Sequence, residues 1–134
     1  MTVFVDANVF LRFLTRDDEG QHEQAAGLFE RARDGRVKLL TGPPVLFEVA
    51  WTLRSAYRQN VATILDLLES VLTFPGLRLT DADICANALR RARGSGVEFA
   101  DAYIAALAEV SGADAIATFN LSDFHKLGAP STLP

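Results

Sequence analysis

The chain has 134 residues, with 17 acidic and 13 basic side chains and a formal net charge of −4. This length fits one domain with a sizeable core, and 49% hydrophobic against 22% charged residues indicates a globular chain. The one cysteine excludes an internal disulfide and a zinc site built from several thiolates. No apolar run approaches the roughly 20 residues that cross a bilayer, so we expect a cytoplasmic protein with no membrane partner. The acidic balance also weighs against a broad basic surface for nucleic acid.

Short apolar segments alternate along the chain with segments of helical periodicity. Strands are predicted over residues 2–5, 37–41, 77–80 and 115–118. Helices are predicted over residues 8–14, 21–33, the segment after Gly42-Pro43-Pro44, 61–72, from a cap at 80 or 81 to about 93, and 99–110. Residues 121–127 are predicted to form a loop with a short turn.

The alternation of strands with single helices and helix pairs predicts an α/β fold. We expect a short central parallel sheet flanked by helices, an α/β/α sandwich, forming a single domain over residues 1–134. In such sheets, functional sites lie in the crevice at the carboxyl ends of the strands. Polar residues that follow strands or begin the neighbouring helices are therefore the candidates for function.

Four acidic residues occupy positions of this kind. Asp6 follows the first predicted strand and Asp123 follows the last, although each can also be a helix cap or a loop residue. Glu48 and Asp101 lie near helix starts, where a carboxylate also stabilises the helix dipole. The apolar neighbours of Glu48 and Asp101 predict largely buried helices, in which an unpaired carboxylate needs a cation.

Converging carboxylates point to a divalent cation, because they cannot all ionise close together without a compensating charge. Oxygen ligands with no thiolate select a hard cation, Mg²⁺ or Mn²⁺. Two such ions could activate a water and stabilise the leaving oxygen in phosphodiester hydrolysis. The four acids on their own therefore make metal-dependent hydrolysis a hypothesis.

Four segments together resemble the PIN-domain family, and within it the VapC-like toxin ribonucleases of type II toxin–antitoxin pairs. The segments begin at Val5, Pro44, Asp101 and Thr118, and they read VDANVFLR, PVLFEV, DAYIAALA and TFNLSDF. Each segment alone is weak, but their order and spacing extend the resemblance over essentially the whole chain. Many relatives carry an acid directly after the Thr-Phe pair, where this chain has Asn120, so the fourth acid is placed at Asp123.

The resemblance implies a ribonuclease site that depends on Mg²⁺ or Mn²⁺. It carries the roles of catalytic residue and metal ligand onto four acids: Asp6, Glu48, Asp101 and Asp123. It places three polar residues in support of the acids or the substrate: Asn8, Thr118 and Asn120. Arg12, one helical turn after Asn8, is the candidate for contact with phosphate.

The resemblance also implies partners, namely RNA as substrate, a second copy in a homodimer and a small VapB-like antitoxin that inhibits the enzyme. DNA would be bound only through the antitoxin, and the apolar helical hairpin over residues 45–74 would suit a protein partner. Two alternatives stay open: a non-catalytic interaction module, and a nuclease that acts on DNA or outside a toxin–antitoxin pair. Without the four acids, 13 acidic and 13 basic residues remain, so we interpret the acidity as a metal site.

Overall fold

The computed structural model describes residues 1–134 and has five strands and seven helices. The strands are β1 (Thr2–Phe4), β2 (Lys38–Thr41), β3 (Leu77–Leu79), β4 (Ile116–Ala117) and β5 (Ser131–Thr132). The helices are α1 (Ala7–Leu14), α2 (Glu19–Arg33), α3 (Pro43–Ser55), α4 (Val61–Leu72), α5 (Ala82–Ser95), α6 (Phe99–Val110) and α7 (Leu121–Lys126). None of these helices combines the length and apolarity that crossing a membrane requires.

The central sheet consists of β1, β2 and β3, which are parallel and lie in that spatial order. Val3 pairs with Leu39, and Leu39 pairs in turn with Leu77, so the three strands are joined through one aligned row. Pairs of helices connect successive strands and flank the sheet. The predicted α/β fold with a short central parallel sheet is therefore confirmed. β4 instead pairs with β5 in a separate two-stranded parallel ladder.

One cluster of buried apolar side chains joins the helices to the central sheet. α1 packs against α2 and α3, α4 contacts α3, α5 and β3, and α6 lies against α5 and α7. The ring of Phe29 in α2 lies 4.5–5.5 Å from the rings of Phe10, Phe13 and Phe74, measured between centroids. This aromatic packing fixes α1 against α2 and thereby places the residues that follow Asp6.

The carboxyl ends of the central strands are held together by buried polar contacts. The buried hydroxyl of Thr41 donates to the carbonyl of Val5 at 3.0 Å, and the Val5 amide donates to Leu40 at 2.8 Å. The chain leaves β2 through Gly42, where a Cβ atom would lie 2.9 Å from Oγ1 of Thr80. Glycine therefore allows the exits of β2 and β3 to approach closely. α1 and α3 begin at this edge of the sheet.

The C-terminal elements differ from the prediction for this region. Residues 121–126 form helix α7, whereas the sequence pattern predicts a loop with a short turn. The side chain of Asn120 accepts from the Asp123 amide at 3.3 Å and donates to Oδ2 of Asp123 at 2.9 Å, which closes the first helical turn. Phe124 is buried beneath that turn. β5 has only two residues, too few for an alternating pattern to reveal it.

The buried hydroxyl of Thr41 gives a test of the sheet edge. Thr41→Val keeps the side-chain shape but removes the donor to Val5, so we expect the free energy of unfolding to fall by about 1–3 kcal/mol. Urea denaturation measures this loss. Thr73→Val is the matched control, because the exposed Thr73 hydroxyl also donates to a backbone carbonyl, that of Glu69 at 3.0 Å. Equal losses in both variants would contradict a special role for the buried bond.

Candidate active site

Asp101 and Asp123 lie close enough for their charges to interact. Asp101 is in the first turn of α6 and Asp123 is in the first turn of α7, and these two helices pack together. Partial burial, followed by the negative charges of Asp123 and Glu98, raises the pKa of Asp101. Neither Asp101 nor Asp123 forms an ion pair. A bound cation would relieve the repulsion between these two carboxylates, which have no cationic partner.

The turn after β4 positions Asp123. Oγ1 of Thr118 accepts from the amide of Asn120 at 2.9 Å, and the side chain of Asn120 donates to Oδ2 of Asp123. The other carboxylate oxygen of Asp123 has no protein donor, so it is free for a cation or a water. Thr118 and Asn120 thus lie in a hydrogen-bonded chain that ends at the fourth candidate acid.

Asp6 caps helix α1 at the end of the first strand segment. Its Oδ1 accepts from the Ala7 amide at 2.7 Å, which confirms the capping alternative, while its Oδ2 has no protein donor. No hydrogen bond joins Asn8 to Asp6. The Asn8 side chain instead lines a cleft between α1 and α2. Asp6 therefore retains one free carboxylate oxygen without support from Asn8.

Glu48 is exposed in α3, and the prediction of a largely buried helix around it is wrong. The buried face of α3 after its two prolines consists of Val45, Leu46, Val49 and Leu53. Pro44, Glu48 and Trp51 form the exposed stripe of the helix instead. Trp51 is apolar but 67% exposed, so the apolar residues flanking Glu48 do not all mark buried positions. Glu48 forms no hydrogen bond and no ion pair in this position.

The four candidate acids do not form a preassembled metal cluster. No three acidic, histidine or cysteine side chains converge in a group that could hold a metal ion. The chemistry of the donor set nevertheless fits a hard cation, because all four carboxylates lack a cationic partner and two of them repel each other. Asp101 and Asp123 are the residues that would hold a divalent ion first.

Arg12 is engaged with other side chains at the end of α1. Its Nε donates to Gln21 at 2.6 Å and its Nη1 donates to Asp17 at 3.0 Å. Asp17 also accepts from the hydroxyls of Tyr57 at 2.5 Å and Thr15 at 3.0 Å. The Tyr57 hydrogen bond holds the pKa of Asp17 below its usual value. Sequence patterns do not reveal this network, because Tyr57 is 40 residues away from Asp17.

Glu98 adds a negative charge near Asp101 that the sequence motifs do not mark. It occupies the N-cap position of α6 and pairs with Arg54 at 3.4 Å. Its place three residues before Asp101 puts both acids near one helix face, and this spacing is the signal that could have revealed it. Because Glu98 has its own cationic partner, we do not count it among the metal ligands.

The architecture and the free carboxylates define an α/β protein with oxygen donors suited to a divalent metal. The sequence matches the PIN domain family over residues 3–129, and the chain belongs to this family. PIN domains are typically metal-dependent nucleases, so the activity class of the fold is phosphodiester hydrolysis. A comparison with curated protein sequences gives no match.

The interaction between Asp101 and Asp123 predicts a measurable titration. Asp123→Asn removes a neighbouring negative charge, so the pKa of Asp101 should fall towards its usual value, while the effect of burial remains. Carbon-13 NMR of the Asp101 carboxyl group, in metal-free protein, measures this pKa. Asp83→Asn, at an exposed first-turn position of α5, is the control and should leave the pKa of Asp101 unchanged.

The raised pKa of Asp101 also makes the stability of the fold depend on pH. The folded state binds this proton more tightly than the unfolded state, so ionised Asp101 opposes folding at pH values above its folded pKa. This cost shrinks as the pH falls below the folded pKa and is gone below the unfolded pKa. In the titration experiment, the same pKa for Asp101 in the wild type and in Asp123→Asn would contradict the interaction between the two acids.

Proposed function

We propose that the chain is a Mg²⁺-dependent endoribonuclease, with Mn²⁺ as a possible substitute, and the toxin of a VapC-like toxin–antitoxin pair. The observation that carries the nuclease proposal is the pair Asp101 and Asp123, two interacting carboxylates without a cationic partner in a PIN domain. The resemblance of the four sequence segments to VapC-like toxins supports the toxin role. The antitoxin would hold the enzyme inactive until it is removed.

The four acids would have different roles in metal binding, according to their placement. Asp101 and Asp123 would hold the divalent cation, and Asn120 would keep the Asp123 carboxylate oriented towards it. Asp6, with its free Oδ2, and the exposed Glu48 would complete the ligand set once RNA and cation are bound. A bound Mg²⁺ supplies a water activated for attack on phosphorus and positive charge for the leaving oxygen.

A covalent enzyme intermediate has no support in the chain. The one thiol, Cys85, is buried, and this burial raises its pKa to about 11, so it carries almost no thiolate at neutral pH. Neither histidine is hydrogen-bonded to a serine or cysteine: His22 bonds to the carbonyl of Arg12, and His125 lies exposed on α7. Direct attack by water is therefore the mechanism we propose.

Exposed apolar side chains support the proposal of two protein partners. α6 presents Ile104, Leu107 and Val110 on one uncharged stripe, and these side chains are 45%, 42% and 67% exposed. Trp51 and Phe47 of α3 border a small apolar groove that reaches α4 and the start of α6. We assign the α6 stripe to a second copy of the chain and the groove to an antitoxin segment. DNA would then be bound through the antitoxin alone.

A second candidate function is a non-catalytic interaction module. The absence of a preassembled group of three metal ligands favours it. In that case the acids would be dispensable for the biological effect of the chain. A nuclease that acts on DNA, or outside a toxin–antitoxin pair, is a further alternative, since the chain contains no identifiable reader of the RNA 2′-hydroxyl.

The nuclease proposal predicts cleavage of RNA with Mg²⁺ and none with EDTA. Asp101→Asn should lower the cleavage rate at least about 100-fold, because it removes a direct metal ligand. The exposed variant Asp83→Asn should cleave like the wild type. The assay uses labelled single-stranded and structured RNA, with DNA of the same sequence in parallel.

Cleavage that persists in EDTA, or in Asp101→Asn, would overturn the metal mechanism. Equal cleavage of DNA would overturn the assignment of RNA as substrate. Induced expression in a bacterial host tests the toxin role: wild type should arrest growth, and Asp101→Asn should not. Growth arrest by both proteins would favour the non-catalytic module.

The α6 stripe predicts the oligomeric state. Light scattering after size-exclusion chromatography should give a dimer for the wild type and a monomer for Leu107→Lys, because the variant would bury a charge in the interface. Leu133→Lys, at a leucine that is 57% exposed elsewhere on the surface, is the matched control and should remain dimeric. A monomeric wild type would contradict the homodimer.

A further inference from the structure

We propose that the cleft between α1 and α2 is a subsite for the RNA backbone, in which Arg12 binds a phosphate next to the one that is cleaved. This inference rests on the proposed ribonuclease function and adds the place where the rest of the substrate lies. The cleft has a volume of about 470 Å³. Four polar side chains line it, two from each helix: Asn8, Arg12, Gln21 and Gln24.

The charge of the cleft favours an anion. Arg12 contributes a positive charge, which its ion pair with Asp17 at 3.0 Å offsets in part, and no carboxylate is among the residues that line the cleft. The amide groups of Asn8, Gln21 and Gln24 add neutral donors around it. In a chain with a net charge of −4, this combination sets the cleft apart from the acidic surroundings of Asp101.

The guanidinium of Arg12 is held in place and still has donors available. Two of its five N–H groups donate to Gln21 and Asp17, which leaves three for a ligand, and the side chain is 35% exposed. A planar guanidinium binds phosphate through paired hydrogen bonds, which a lysine cannot reproduce. Arg12 can therefore serve the protein network and a phosphate at the same time.

Asp17 and Tyr57 act as positioning residues for Arg12. Asp17 lies in the loop between α1 and α2, and the hydroxyls of Thr15 and Tyr57 donate to its carboxylate. The ring of His22 also bonds to the carbonyl of Arg12 at 3.0 Å, so backbone and side chain are both anchored. An arginine fixed in this way loses little conformational entropy when it binds a ligand.

The position of the cleft relates it to the candidate acids. Asn8 lies in the first turn of the helix that Asp6 caps, and Arg12 follows one turn later, about 6 Å along the helix axis. A strand of RNA whose cleaved phosphate lies near Asp6 would therefore reach Arg12 with a different phosphate. The subsite would contribute to substrate binding and not to the chemical step.

Steady-state kinetics and direct binding test this inference together. Arg12→Gln should raise KM about tenfold with kcat changed less than twofold. In the background of the slowly cleaving variant Asp101→Asn, it should raise the Kd for the same RNA by the same factor. The slope of log Kd against log salt concentration should fall by about the amount expected for the loss of one phosphate contact. Arg78→Gln is the matched control, because it removes the same charge from a cleft formed by β2 and β3.

Two conservative variants separate the phosphate contact from a structural role. Arg12→Lys keeps the charge but loses the planar donor set, so it should retain the salt slope and still raise KM. Tyr57→Phe removes only the hydroxyl that holds Asp17, and it should raise KM about two- to threefold without changing kcat. Melting temperatures identify any variant that is destabilised, and these two variants decide the test if Arg12→Gln does not fold.

Unchanged KM, Kd and salt slope in folded Arg12→Gln would overturn the subsite while leaving the proposed ribonuclease intact. A wild type that neither cleaves nor binds RNA would instead overturn the proposed function. Weaker binding of the antitoxin by Arg12→Gln, with unchanged binding of RNA, would show that the cleft takes a protein partner, and the RNA inference would be wrong.

Discussion

A buried side-chain hydrogen bond between residues 36 positions apart joins the exits of β1 and β2 at the carboxyl edge of the central sheet. Thr41 at the end of β2 donates to Val5, and the chain then continues into α3 on one side and into Asp6 and α1 on the other. Because both groups are removed from water, breaking this bond costs more than breaking a similar bond at the surface. Together with the pairing of β1 and β2 and the packing of α1 on α3, this contact places Asp6 and the start of α3, which carries Glu48.

The candidate acids fall into two groups with different structural origins. Asp6 and Glu48 depend on the central sheet, whereas Asp101 and Asp123 depend on the packing of α6 against α7. Within the second group, the charge of Asp123 acts on Asp101. A raised pKa means that a proton and a cation compete for Asp101, and the cation gains as the pH rises. Substrate phosphate and a divalent ion would together bring the two groups into one reaction centre.

Much of the fold is predictable from local patterns. Strands β1 to β4 and helices α1, α2 and α4 to α6 lie within two residues of their predicted bounds, because apolar runs, apolar periods, caps or chain breaks mark each of them. Residues 121–127 predict a loop with a short turn instead of α7, because the Asn120 and Asp123 pair that caps this helix is equally common in turns. The prediction of a largely buried helix around Glu48 is wrong because Trp51 is apolar and yet lies at the surface. The Arg12–Asp17–Tyr57 network needs the tertiary fold, since Tyr57, just after α3, is brought to Asp17 by the packing of α1 on α3.

The separate ladder of β4 and β5 has a consequence for the dynamics of the site. β4, α7 and β5 are consecutive in the chain, and no strand hydrogen bond joins this unit to the central sheet. The unit is held by side-chain packing, through α7 against α6 and through the buried Phe124. Asp123 belongs to this unit, while Asp101 belongs to α6. A cation shared by the two carboxylates would link α7 to α6. The amide protons of α7 would then exchange with solvent more slowly when the cation is bound.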